Sequence, residues 1–292
     1  MKILITGASG LIGESVLRNL QSNNFEVIVI GRNRPKQFNG YFFKINLMEI
    51  SESKLEKIVR EIKASHLIHL AWYTEHGKFW DSEINKKWVE KTALLVEKFC
   101  NAGGESVIAA GSCAEYSWKS EDKLCESSEC KPESLYGISK NKTRELLSEI
   151  CYKSAVTFTW CRIFFPYGPR DNEEKLIPQL IKVASGIKKP FLIKQPGSRD
   201  FIHVDDIANA FLIILKKKYV GIINICNGIA YDLNELMQKI VENNDANNEV
   251  NIIDTSNLNN HQNIINIVGE NKILVELGWK PKSDLYSYII KS

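Results

Sequence analysis

The chain has 292 residues, 44% of them hydrophobic and 25% charged, which suits one large α/β domain or a larger domain carrying a smaller lobe, and not a disordered or fibrous protein. A formal charge of +3 with dispersed Lys and Arg excludes a basic nucleic-acid face, and no apolar run is long enough for a transmembrane helix. The stretch from Met1 to Gly7 runs straight into strand and turn, so no leader peptide is expected and a cytoplasmic location is. The seven cysteines, an odd number without paired metal-ligand spacing, read as reduced thiols.

Apolar, β-branched runs at 3–6, 26–30, 66–70 and 106–110 alternate with amphipathic stretches, and a further strand is expected at 157–164. Such alternation predicts an α/β fold, a Rossmann-type doubly wound parallel sheet with crossover helices, and the length leaves room for a smaller C-terminal substrate-binding lobe. The boundaries expected are 1–165 for the dinucleotide-binding domain, with 200–226 returning to it, and 166–292 mainly for the lobe. Past Pro166 the chain is broken by Gly168, Pro169, Pro178, Gly186, Pro190, Pro196 and Gly197, which predicts short elements. The asparagine-rich run 243–260 reads as loop.

Gly7-Ala8-Ser9-Gly10-Leu11-Ile12-Gly13 follows the first strand and opens a helix. Glycines at that place let the backbone turn tightly and approach a pyrophosphate, with the helix N-terminus facing the negative charge. An ordinary strand-to-helix turn is the plainer account. At the end of the second strand, where an acidic residue would hold the ribose 2′-hydroxyl of NAD, stand Arg32 and Arg34. Arg32, with Arg34 as a possible partner, suits the 2′-phosphate of NADP, and a solvated basic turn is the alternative.

Tyr136 and Lys140 are four residues apart and share a helix face. A lysine cation beside a phenol is expected to draw its pKa down from about 10 and make it a usable proton shuttle. Alone the pair is a weak signal. Ser112, just past the strand at 106–110, lies at the carboxyl edge of the sheet where open α/β folds bind ligands, and its hydroxyl would share a substrate oxygen with Tyr136.

With the glycine turn, Ser112, Tyr136 and Lys140 resemble the extended short-chain dehydrogenase/reductases, the branch containing nucleotide-sugar epimerases, dehydratases and reductases. The likeness extends to His69-Leu70-Ala71, Asn85, Tyr116, Tyr167-Gly168-Pro169, the stretch from Arg199 to Asp206, and Leu277-Gly278-Trp279-Lys280-Pro281. It implies an enzyme in which Tyr136 exchanges a proton with a sugar carbonyl or carbinol, Ser112 is its hydrogen-bonding partner, and Lys140 anchors the nicotinamide ribose. It further implies a cofactor cradle of Gly7, Ser9, Gly10, Leu11, Ile12, Gly13, Arg32, Asn46, Leu47, Leu70 and Ala71. The substrate, a nucleotide-diphosphate sugar, would meet Trp72, Cys113, Phe165, Lys175, Leu176, Phe191 and Arg199, the arginine pairing with the diphosphate. Residues 190–193 look like the strand that frames the base, though they also read simply as core. The aromatic run Trp72, Tyr73, His76, Phe79 and Trp80 should overhang the site or pack as an ordinary lid.

Departures from the family pattern narrow the chemistry. Cys113 and Ala114 stand where dehydratases carry an Asp-Glu pair, and the acid/base cysteine and histidine of GDP-fucose synthase fall at Ala114 and Lys175. Phe165 replaces an asparagine and Asn46 an aspartate. What remains is a plain carbonyl reduction: an NADPH-dependent reductase of a nucleotide-diphosphate 4-keto-6-deoxysugar. An NAD-dependent C4 epimerase, and a non-catalytic NADP-sensing protein, are the alternatives. Asp205 and Asp206 precede the apolar stretch 207–215 and are expected to include a helix N-cap. The helical stretches 86–100 and 136–151 correspond to those through which relatives dimerise, so a homodimer is expected.

Overall fold

A computed structural model of the chain describes residues 1–118, 123–193, 195–243 and 265–292. β1 (Lys2–Thr6) passes through the glycine turn into α1 (Leu11–Ser22), followed by β2 (Glu26–Gly31), β3 (Tyr41–Lys44), α2 (Glu52–Ile62), β4 (His66–His69), α3 (Ile84–Asn101) and β5 (Ser106–Ser112). A 3-10 turn at Cys113–Glu115 leads to α4 (Leu135–Lys153) and β6 (Thr157–Ile163). Next come β7 (Phe165–Tyr167), α5 (Leu176–Ala184), β8 (Ser198–Arg199), β9 (Phe201–His203), α6 (Val204–Lys217) and β10 (Gly221–Ile225). β11 (Tyr231–Asp232), α7 (Leu233–Glu242), α8 (Lys272–Glu276) and α9 (Leu285–Lys291) complete the described elements.

Seven strands form one parallel sheet in the order β10-β6-β5-β4-β1-β2-β3, the doubly wound arrangement expected from the alternation. The order in which strands are added switches sides between β1 and β4, where open α/β sheets leave a crevice at their carboxyl ends. Nearly unbroken apolar runs suit strands covered on both faces. In β1, Ile3 and Ile5 pack with α1 and α6 on one side, while Leu4 packs with α2, α3 and α4 on the other. Val27 and Val29 of β2 likewise oppose Ile28 and Ile30. Two strands of this sheet are not among those expected. β3 is only four residues long with no buried side chain, and β10 is an edge strand whose first two residues are half-buried.

The lobe is built from α5, α7 and α9 around Leu180, Leu236, Ile240 and Ile289, with two-stranded pairs β7·β9 and β8·β11. Residues 190–193 form no strand; Ile193 enters the lobe core and Phe191 packs half-buried against it. Of the asparagine-rich run, Asn243 caps the C-terminal end of α7, and 244–260 lie outside the described residues.

Buried carboxylates join lobe and sheet. Asp200 is fully buried and accepts from the backbone amides of Asn227 at 2.8 Å, Gly228 at 2.9 Å and Gly269 at 3.1 Å. The N-cap of α6 is His203, whose Nδ1 accepts from the Asp205 amide at 3.2 Å, and not either aspartate. The aspartates are engaged elsewhere. Asp205 accepts from Ser15 at 2.8 Å and Arg18 at 2.5 Å on α1, while Asp206 accepts from the amides of Lys282 and Ser283, both at 3.0 Å, in the segment after Trp279. Among the described residues no helix is long and apolar enough to cross a membrane.

Replacing Asp200 by Ala strands three N–H donors, two of them buried, and should cost about 3 kcal/mol. Urea denaturation measures this; Asp200→Asn, which keeps an acceptor oxygen, should lose less.

Candidate active site

The turn after β1 is shaped by what a methyl group would strike. Gly7 has φ +74°, and a Cβ there would lie 2.5 Å from the Ala71 nitrogen and 2.6 Å from the Leu70 carbonyl carbon. A Cβ on Gly13 would lie 2.1 Å from the Gly7 oxygen, so glycine is required where α1 presses on the turn. Gly10 closes the turn through its amide to Gly7 O at 3.1 Å and is the N-cap of α1, with no side chain to occupy the first helical N–H groups. Ser9 and Gly10 are exposed, and Leu11 and Ile12 half-buried. An open helix start reached by bare backbone fits a dinucleotide pyrophosphate. Below it, Thr6 Oγ1 meets His69 Nδ1 at 2.8 Å, and His69 Nε2 meets Thr92 Oγ1 at 3.1 Å. Burial, with Lys140 nearby, lowers the His69 pKa to about 3, so this imidazole is a neutral tie between β1, β4 and α3.

At the end of β2 the two arginines divide their work. Arg34 donates to Phe38 O at 2.9 Å and Gly40 O at 3.1 Å, bracing its own loop, whereas Arg32 is exposed at the strand end. Asn46 spends its Oδ1 on the Met48 amide at 3.1 Å, and Leu47 is buried in the core.

Ser112, Tyr136, Lys140 and Trp72 come together at the carboxyl end of β5. Ser112 is the last residue of that strand and caps the 3-10 turn, its Oγ accepting from Ala114 N at 3.2 Å. Ser134 caps α4 through the Gly137 amide at 3.1 Å, and a Cβ on Gly137 would lie 2.2 Å from Ala114 O. This close approach seats Tyr136 against the turn, where the Ser112 side chain acts to lower the pKa of its phenol. One helical turn on, the buried Lys140 Nζ donates to Ala110 O at 2.8 Å and lies 3.9 Å from the Trp72 ring centroid.

Aromatic rings surround the phenol. Phe79, Trp80 and Trp72 meet the Tyr136 ring edge-on at 4.9, 5.7 and 6.5 Å, and Trp80 N-terminal to α4 receives the Tyr136 amide on its carbonyl at 2.8 Å. Burial therefore raises the Tyr136 pKa above its ordinary value, opposed by the Ser112 hydrogen bond. That differs from the phenolate expected beside a lysine: Lys140 spends its proton on Ala110 and its charge on Trp72. Burial also lowers Lys140, to about 7, against the pull of Glu115.

The remaining expected residues are more scattered. Arg199 is buried, with no carboxylate partner among the described residues; its guanidinium donates to the carbonyls of Ser198 and Ile265 and lies 5.8 Å from the Phe165 ring centroid. Phe165, Leu176 and Phe191 all pack half-buried against the lobe core. Lys175, N-cap of α5, is paired with Asp171 at 2.8 Å. Cys113 is buried among Tyr116, Leu124, Phe164 and Cys226. Sequence reasoning missed Glu115, Trp160 and Arg162 behind Ser112, although Ser112 and Glu115 have the S-x-x-E spacing of a capping box.

Residues 3–226 match the sequence model of the NAD dependent epimerase/dehydratase family. The chain belongs to this family. As an epimerase/dehydratase family member it is an NAD(P)-dependent enzyme of the extended short-chain dehydrogenase/reductase type. It is 26% identical to the dTDP-4-dehydro-6-deoxyglucose reductase of Escherichia coli over 96% of this chain and 92% of that one. With the dTDP-6-deoxy-L-talose 4-dehydrogenase (NAD(+)) of Aggregatibacter actinomycetemcomitans it shares 23% identity, over 82% and 90%. Among solved structures, the UDP-glucose 4-epimerase of Thermotoga maritima with UDP-glucose superposes with a TM-score of 0.79 at 20% identity, covering 99% of this chain and 96% of that one.

The Lys140 shift has a consequence for stability in this family member. Between about 7 and the ordinary lysine value of 10.5, an unfolded chain holds a proton that folded Lys140 has released, so folding gains stability as pH rises through that window. Thermal denaturation of wild type and Lys140→Met should therefore diverge above pH 7, wild type gaining; parallel pH profiles would contradict the burial of the ammonium.

Proposed function

We propose that the chain reduces the C4 keto group of a nucleotide-diphosphate 4-keto-6-deoxyhexose with NADPH. The observation that carries this reading is the phenol of Tyr136, boxed by aromatic rings beside Ser112, with no second acid/base side chain at the places where dehydration or epimerisation would need one. Cys113 is buried in the core, Ala114 has no functional group, and Lys175 is tied to Asp171.

In this reading the glycine turn and the open start of α1 hold the pyrophosphate, and Arg32, free at the end of β2, takes the 2′-phosphate. Bound there, NADPH supplies the hydride. Ser112 donates to the substrate carbonyl and aligns it, and Tyr136 delivers its phenolic proton to the same oxygen as the carbonyl becomes a carbinol. A phenol kept protonated suits reduction, which consumes a proton. Arg199, a buried guanidinium lacking a carboxylate, suits the diphosphate, whose charge would offset the cost of its burial. Rings of Phe79, Trp80 and Trp72 offer an apolar wall to a 6-methyl group. A cytoplasmic location, and a homodimer formed through α3 and α4, belong to the same reading.

NADPH absorbance followed against CDP-, dTDP-, GDP- and UDP-linked 4-keto-6-deoxysugars tests the reading. Tightly copurifying NAD, with no net NADPH oxidation by any of them, would instead indicate a C4 epimerase. Tyr136→Phe should lose at least about a hundredfold in kcat while binding NADPH as before; an NADP-sensing protein would be indifferent. Arg32→Ala should weaken NADPH about tenfold and leave NADH unchanged in binding titrations.

A further inference from the structure

Behind Ser112 lies a buried ion pair. Glu115, at the end of the 3-10 turn, and Arg162, on β6, are 0% and 1% exposed, with Arg162 Nε 3.0 Å from Glu115 Oε2. The carboxylate is filled on every side: Ser112 N donates to Oε1 at 2.7 Å, and Trp160 Nε1 donates to Oε1 at 3.0 Å and Oε2 at 2.9 Å. Its side-chain donors are themselves buried. Trp160 is buried in the core, and Arg162 also donates to Glu126 O at 3.1 Å and Cys130 Sγ at 2.9 Å, with its guanidinium 4.4 Å from the Tyr116 ring centroid. The backbone makes room for this: a Cβ on Gly111 would lie 2.3 Å from Trp160 Nε1 and 2.6 Å from Glu115 Oε1.

A buried ion pair is commonly no more stabilising than apolar residues of the same volume, so stability alone does not account for it. Its place does. The strand end that Glu115 grips carries Ser112, and two residues earlier the Ala110 carbonyl that receives Lys140. We propose that Glu115, oriented by Arg162 and Trp160, is the positioning residue of the site, locking the Ser112 end of β5 and setting its negative charge against the Lys140 ammonium. Groups facing Lys140 are His69 from β4, held neutral, Glu115 from the 3-10 turn, with Arg162 behind it, and Tyr136 from its own helix. Of these, Glu115 is the one that favours the ammonium form. The inference rests on reading Ser112, Tyr136 and Lys140 as the reacting set, but its test needs no turnover.

The test is a pH titration of the Lys140 13Cε resonance in the cofactor-free protein, assigned by its loss in Lys140→Arg, together with the backbone amide shift of Ser112. Wild type should titrate near 7. Glu115→Gln should lower that midpoint by about one pH unit, roughly tenfold weaker proton binding, and move the Ser112 amide proton upfield as its charged acceptor becomes neutral. A folded Glu115→Gln protein with both readouts at their wild-type positions would overturn the proposal; a merely structural role would lower the melting temperature alone. Should Glu115→Gln fail to fold, Glu115→Asp keeps the charge by Arg162 but falls short of Ser112. The Ser112 amide should then move while the Lys140 midpoint stays close to wild type, and an unmoved amide overturns the proposal. Absence of NADPH oxidation with every keto-sugar would defeat the reductase reading and leave these resonances unaffected.

Discussion

The approach of two backbones organises this molecule: the turn after β1 passes so near the end of β4 that Gly7 has no space for any side chain, and α1 presses on the same turn through Gly13. Neighbouring strands whose connections diverge open a crevice there, and the missing side chains let that crevice reach down to bare amides. Thr6, His69 and Thr92 lock the floor with side-chain hydrogen bonds, and burial keeps the imidazole uncharged where a cation would be costly.

A second close approach builds the other half of the site. Gly137 lets the start of α4 touch the turn after β5, so that a phenol from a helix and a hydroxyl from a strand meet. The site is then dried from above by Phe79, Trp80 and Trp72 and wired from below by Glu115, Trp160 and Arg162. Low polarity explains the opposite directions of the two shifts: burial penalises the charged form of each group, raising the acid Tyr136 and lowering the base Lys140. Both are thereby held nearer their neutral forms, the state in which a phenol has a proton to give.

Charged residues of the Arg199 to Asp206 stretch show how one motif serves two ends. Arg199 keeps a buried guanidinium without a carboxylate partner among the described residues, which suits an anionic ligand. Asp200 and Asp206 are satisfied by backbone amides from distant segments and hold the lobe to the sheet. Residue type alone does not separate these roles; the donors around each group do.

Much of the fold was legible because its signals are local. Period and composition mark β1, β2, β4, β5 and β6, and a turn that excludes side chains must be written in glycine, as it is at Gly7, Gly10 and Gly13. Short or edge strands such as β3 and β10 were not legible, since β3 is four residues long and buries no side chain and β10 lies at the sheet edge with its first two residues only half-buried. Five of the seven strands of the sheet, the glycine turn and the types of group at the site can be read from the residues alone. Packing in three dimensions settles that Arg34 braces its own loop while Arg32 is exposed, that His203 and not an aspartate caps α6, and that Lys140 turns to Ala110 and Trp72. The reason is physical: spacing along the chain sets which side chains share a helix face or strand end, but burial and partners contributed by other segments set their charge and direction.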